Sequence, residues 1–280
     1  MTVGISSAQA RDGLRAASPA LVFLARVGYV AKGVVYIIIG VLAARVAMRS
    51  GGRTTDSSGA LDTIADGPFG TVALGVIAAG LLGYTLWRLV AAVTDAEGKG
   101  NEPTKLAVRA AQAGRGLLYG ALAVQAIQLM RGRGAGENSA ARDWTAELLS
   151  LPYGRALVGA VGLGVIGYAV YQLYRAAKEE KVRNHLDLHE AGPTRAAWIV
   201  RLGRFGIAAR AVVFALIGVF IIRAAMQSDA SEAGGIAQSL RTLSQVDAGQ
   251  LALGVVAFGL VAYGVYELAT ARYRHMRAVG

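Results

Sequence analysis

Lys32 stands six residues into the apolar run "RVGYVAKGVVYIIIGVLA" (26–43), with only apolar, Gly or Tyr neighbours for a full turn on either side. An ammonium in such a setting must find a counter-charge, reach water along its stem, or serve a ligand. Arg115, in "RAAQAGRGLLYGALA" (109–123), and Arg210, in "RFGIAARAVVFALIG" (204–218), take the matching place in two later runs. Arg88 and Glu267 lie one to two turns before the ends of two further apolar runs, "GTVALGVIAAGLLGYTLWRL" (70–89) and "GQLALGVVAFGLVAYGVYEL" (249–268), where "GRALVGAVGLGVIGYAVYQL" (154–173) has Gln172. Tyr36, Tyr119 and Phe214 follow the three cations by one turn, and Tyr84, Tyr168 and Tyr263 precede Arg88, Gln172 and Glu267 by one turn. A layer of four cations, one carboxylate and several phenols can pair internally or bind an anion. Guanidinium groups favour bidentate contact with phosphate or carboxylate.

Other chemistries find less support. "NHLDLHE" sets His185 and His189 four residues apart beside Asp187 and Glu190, a zinc-capable face if helical, but a closed site needs more ligands and no other stretch repeats it. No Gly-rich phosphate loop, nucleophile elbow or His-Glu metalloprotease motif occurs. With no cysteine, disulfides and thiolate chemistry are excluded. No catalytic residue, metal or cofactor is expected.

The elements that hold the layer are membrane helices. A mean hydropathy of +0.44 with only 17% charged residues is too apolar for a solvated domain of 280 residues. Six runs, near 26–48, 69–93, 108–130, 154–176, 203–226 and 249–271, reach the roughly 20 residues needed to cross a bilayer. All five prolines fall outside them. Of the 29 Lys and Arg, 20 lie on the side of the termini and the loops near 94–107 and 177–202, while acidic residues divide evenly. This bias places both termini in the cytoplasm. The N-terminal stretch lacks the pattern of a cleaved signal peptide. The basic residues flank apolar spans, which points to anionic phospholipid at the cytoplasmic face and not to nucleic acid.

The six runs are three copies of a two-helix unit. Equivalent positions include Arg26/Arg109/Arg204, Gly33/Gly116/Ala211, Gly75/Gly159/Gly254 and Gly80/Gly164/Gly259. These glycines, with the Gly116-x-x-x-Gly120 spacing, suit close helix–helix packing. Short amphipathic stretches at 60–70, 144–154 and 240–249 join the two helices of each unit and read as surface helices at the membrane boundary, with Leu61, Trp144 and Leu240 on their apolar faces. Because each unit has two spans, the copies run parallel and predict a pseudo-threefold bundle. The division is 1–23 lead-in, 24–95 first repeat, 96–107 loop, 108–176 second repeat, 177–202 charged linker, 203–274 third repeat and 275–280 tail.

The Arg-x-Gly-Tyr-x-Ala-Lys-Gly-x-x-Tyr signature of the first copy, and second helices of the "LGVIGYAVYQLYRA" type, resemble the bacterial membrane family called domain of unknown function 1206. The resemblance spans nearly the whole chain. It implies tandem two-helix repeats and carries no activity. The middle copy departs most, with Ala111 and Gln112 where the signature has Gly and Tyr.

Three readings of the basic layer stand side by side: snorkelling to cytoplasmic headgroups, internal pairing of Glu267 with a neighbouring cation, and an inward-facing anion site occupied by an anionic phospholipid. The function expected is non-catalytic, structural or lipid-interacting, with an unidentified membrane-protein partner left open. A transporter or channel, and an enzyme acting on lipid headgroups, are the alternatives.

Overall fold

The computed structural model describes residues 7–51, 53–94, 103–132, 139–183, 186, 188 and 191–273. The histidine pair and His275 fall outside the described residues. The chain is helical: α1 (Ser7–Ala47), α2 (Ser57–Ala65), α3 (Gly70–Thr94), α4 (Pro103–Met130), α5 (Ser139–Ser150), α6 (Gly154–Ala177), α7 (Glu179–Arg183), α8 (Pro193–Gln227), α9 (Ile236–Gln245) and α10 (Gly249–Tyr273). Pro103 and Pro193 open α4 and α8, where a missing N–H costs nothing. The lead-in expected before the first repeat is instead continuous with α1 from Ser7, in keeping with its Ala, Arg and Leu content.

Among the described residues, five helices are long and apolar enough to cross a membrane: Arg26–Ala47 of α1, Gly70–Val93 of α3, α6, α8 and α10. The 28 residues of α4 provide the length, but Gln112, Arg115, Gln125 and Gln128 interrupt its apolar run.

The long helices pack in the order α4, α3, α1, α10, α8, α6. Within the first repeat α1 lies on α3, and within the third α8 lies on α10. Between repeats, α3 meets α4, α6 meets α8, and α10 returns to α1. The middle repeat differs, because α4 and α6 each pack on a neighbouring repeat and form no extensive interface with one another. The physical reason starts at Gly28. A Cβ there would overlap Tyr84 and lie 2.6 Å from the Gly80 carbonyl oxygen, so α1 and α3 meet through hydrogen alone. Gly206 meets Tyr263 in the same way in the third repeat. The middle repeat carries Ala111 where the other two have glycine.

The short helices α2, α5 and α9 occupy the three joining stretches. Leu61 of α2 and Leu240 of α9 are fully buried and enter one apolar core with Ile39, Ala43, Leu74 and Leu253. Burial of a leucine at each point contributes about 1.5–3 kcal/mol, so these helices plug the bundle and do not merely rest on its boundary. Trp144 of α5, by contrast, is exposed. The linker after α6 also packs inward, with Val182, Leu186 and Leu188 buried in the core that holds Val200 and Tyr266.

Candidate anion site

The basic layer faces the interior. Lys32, Arg88, Arg210 and Glu267 are each buried, so their charged groups do not extend to the surface as snorkelling would require. Lys32 Nζ donates to Glu267 Oε1 at 2.8 Å, joining α1 to α10. The same ammonium stands over the rings of Tyr119 at 5.6 Å and Tyr263 at 5.1 Å. Arg88 donates from Nε to Tyr84 Oη at 2.9 Å and from Nη2 to Tyr29 Oη at 3.2 Å.

Arg210 is surrounded by aromatics. Its Nε donates to Tyr36 Oη at 3.0 Å and its Nη1 to Tyr263 Oη at 3.2 Å, while the guanidinium covers the Phe214 ring at 4.6 Å. No carboxylate among the described residues lies within ion-pairing distance of it. Arg115, half-buried on α4, covers the Tyr168 ring of α6 at 5.3 Å. Edge-to-face contacts join Tyr29 to Tyr84, Tyr84 to Tyr119, Tyr36 to Tyr263, and Tyr168 to Phe214. All six long helices therefore send side chains into one cluster. Lys32, Arg88, Arg115, Arg210, Glu267 and the six aromatic residues of the expected layers make these contacts, and Gln172 is buried on α6.

Phenol faces and hydroxyls stabilise cations only in part: a cation over an aromatic ring gains roughly 0.5–2 kcal/mol, against several kcal/mol for removing an ion from water. The cluster also holds an unused acceptor, since Glu267 Oε2 is buried without a hydrogen-bond partner. Such a set of donors with little carboxylate is suited to hold an anion. It offers no nucleophile paired with a base.

The glycines sort by interface. Gly33 abuts the Gly264 carbonyl between α1 and α10, Gly80 abuts Val27 between α3 and α1, and Gly259 abuts Ala209 between α10 and α8. Gly116 and Gly120 receive Arg88 Cβ and Thr85 between α4 and α3. Gly75, Gly159 and Gly254 have neighbours no nearer than 3.4 Å from a built Cβ, which leaves room for a methyl group. Gly164 has nothing within 4 Å and packs against no other element.

Two features lay outside the sequence reading. Tyr29, the Tyr of the Arg-x-Gly-Tyr signature, belongs to the cluster, and its place one turn before Lys32 is the signal that could have found it. The leading Arg of the signature is a helix cap. Arg109 donates to the carbonyls of Ala92 and Val93 at 2.7 Å each, and Arg204 donates to those of Ala176 and Ala177 at 2.9 and 3.3 Å. These are otherwise orphan carbonyls at the C-termini of α3 and α6. Arg26, the equivalent residue of the first repeat, is exposed. A cleft of about 440 Å³ between α6 and α8 is lined by Arg201, Arg204 and Phe205, but Arg204 is committed to its capping bonds there.

Compared with known proteins, the chain matches the family model described as Domain of Unknown Function (DUF1206) three times, at residues 27–95, 110–179 and 205–274. It is also similar to the uncharacterized protein YxxB of Bacillus subtilis (strain 168), 34% identical over 251 residues that cover 90% of each chain. No solved structure matches it.

Proposed function

We propose that this chain, which belongs to the DUF1206 family, is a non-catalytic protein of the bacterial inner membrane that holds an anionic group in the cluster around Arg210. In this reading α4 is the sixth span. Its packing on α3 and the inward reach of Arg115 to Tyr168 keep its charge away from lipid tails, which supports placing it in the bilayer. Three interfaces use matching positions: Gly33 against Gly264, Gly116 against Thr85, and Gly218 against Gly162, the last repeating the approach of Gly40 to Ala257. That recurrence supports a pseudo-threefold bundle with one seam left open. The Lys and Arg bias supports cytoplasmic termini, so the cluster lies toward the inner leaflet.

The observation that carries the proposal is Arg210. Glu267 is engaged by Lys32, and the guanidinium of Arg210 is buried among two phenol hydroxyls and a phenyl ring. A buried charge of this kind is costly without an opposite charge, and a phosphate or carboxylate supplies it. The apolar plug of Ile39, Leu61 and Leu240 at the other end favours a closed site over a through passage.

The test is native mass spectrometry of the protein extracted from bacterial membranes in mild detergent. Wild type should carry a phosphate- or carboxylate-bearing molecule that Arg115→Gln/Arg210→Gln loses while remaining folded. Equal ligand content in the two proteins refutes the site.

A further inference from the structure

The seam between α4 and α6 exposes residues whose counterparts elsewhere are core. Leu118 of α4 is 69% exposed, whereas its equivalents Val35 and Val213 are 4% and 1% exposed. On α6, Val161 and Tyr171 are 47% and 53% exposed, whereas Ile77, Val256, Trp87 and Tyr266 at the matching positions are at most 6%. Gly114 and Gly164 both have nothing within 4 Å, yet their equivalents in the third repeat, Ala209 and Gly259, are in contact. Across the seam Arg115 covers Tyr168, at the level of the buried cations.

We infer that this seam is a lateral slot through which an anionic phospholipid enters, its phosphate at Arg115 and Arg210 and an acyl chain between α4 and α6. The inference rests on the anion site proposed above and adds the source of the anion and its route. Three observations select a lipid. The slot walls are apolar, small or aromatic along the length of α6, which suits a hydrocarbon chain. Its polar end is cationic, so a zwitterionic headgroup gains less there than a net anion. The orphan acceptor of Glu267 beside the donors fits a headgroup that combines a phosphate with a hydroxyl, as in phosphatidylglycerol. Elsewhere, Leu61 and Leu240 plug one end of the bundle, and the linker residues Leu186 and Leu188 are buried in the same core. The middle repeat is thus the specialised copy, whose two helices leave a seam between them among the described residues.

The experiment fills the slot without touching a charge. Gly164→Trp adds a side chain where a Cβ would meet no atom within 4 Å, so the variant should fold as wild type does, checked by circular dichroism and gel filtration. Wild type, Gly164→Trp, Gly164→Ala and Arg210→Gln are each exchanged into detergent containing palmitoyl-oleoyl phosphatidylglycerol or phosphatidylcholine, and bound lipid is read by native mass spectrometry. Wild type and Gly164→Ala should retain one phosphatidylglycerol and no phosphatidylcholine. Gly164→Trp and Arg210→Gln should each lose it by about tenfold or more. Retention by Gly164→Trp with loss by Arg210→Gln overturns the slot and leaves the anion site standing. Wild type that holds inorganic phosphate but no phosphatidylglycerol overturns the lipid. Binding of neither overturns both, and a lipid-free dimer shows that a second copy covers the seam.

Discussion

The ion pair between Lys32 and Glu267 permits a quantitative forecast. Its nitrogen and oxygen are 2.8 Å apart with side chains 9% and 5% exposed, so neither group can recover hydration if its partner is removed. Two unit charges at 4 Å attract by about 4 kcal/mol at an effective dielectric near 20, and breaking a buried pair by deleting one partner costs about 3–5 kcal/mol. The two deletions are not equivalent here. Glu267→Gln leaves Lys32 and Arg210 in one cluster without the only buried carboxylate among the described residues, so it belongs at the upper end of that range. Lys32→Met leaves Glu267 with the charge of Arg210 nearby, so it belongs at the lower end. The double variant Lys32→Met/Glu267→Gln removes both charges and should fall below the sum of the singles by about 1–3 kcal/mol. The assay is reversible unfolding in mixed dodecyl maltoside and dodecyl sulfate micelles, followed by circular dichroism. Additivity within about 0.5 kcal/mol, or a milder effect of Glu267→Gln than of Lys32→Met, refutes the pairing and with it the charge balance drawn for Arg210.

Two further outcomes follow from the packing. Gly28→Ala forces a methyl group into Tyr84 and the Gly80 carbonyl and should destabilise by about 1–3 kcal/mol in the same unfolding assay; Gly164→Ala, in open space, should change stability by less than about 0.5 kcal/mol. Arg109→Gln removes both bonds to the C-terminal carbonyls of α3 and should destabilise by about 1–2 kcal/mol, with faster amide exchange confined to the end of α3; the same substitution at the exposed Arg26 should have little effect.

Most of the architecture was legible because the chain states it three times. Recurrence of Lys32, Arg115 and Arg210 at one place in successive copies marked a common layer, and hydropathy bounded α3, α6 and α10 but missed the polar N-terminal turns of α1, α4 and α8. Whether that layer pointed inward could not be read from spacing, since a span exposes cations to lipid or core by a rotation of a few tens of degrees. The repeat alignment also concealed the difference between Gly80 and Gly164: both are glycines at one position, but Gly80 lies against Val27 and Gly164 has nothing within 4 Å. The capping role of Arg109 and Arg204 escaped because their acceptors are backbone carbonyls of the preceding repeat, which leave no trace in side-chain patterns.

The repeats therefore fall into two kinds by how their helices meet. In the first and third copies, glycine at 28 and 206 lets the partner tyrosine reach the backbone, and the helices close over the cluster. In the middle copy, α4 and α6 do not close on each other among the described residues, and Tyr168 meets Arg115 across the seam. Leu118, Val161 and Tyr171 stay exposed along that seam, whereas their counterparts in the other repeats are buried. An open seam beside a buried cation is the arrangement expected if those surfaces are covered by a ligand and not by the protein itself.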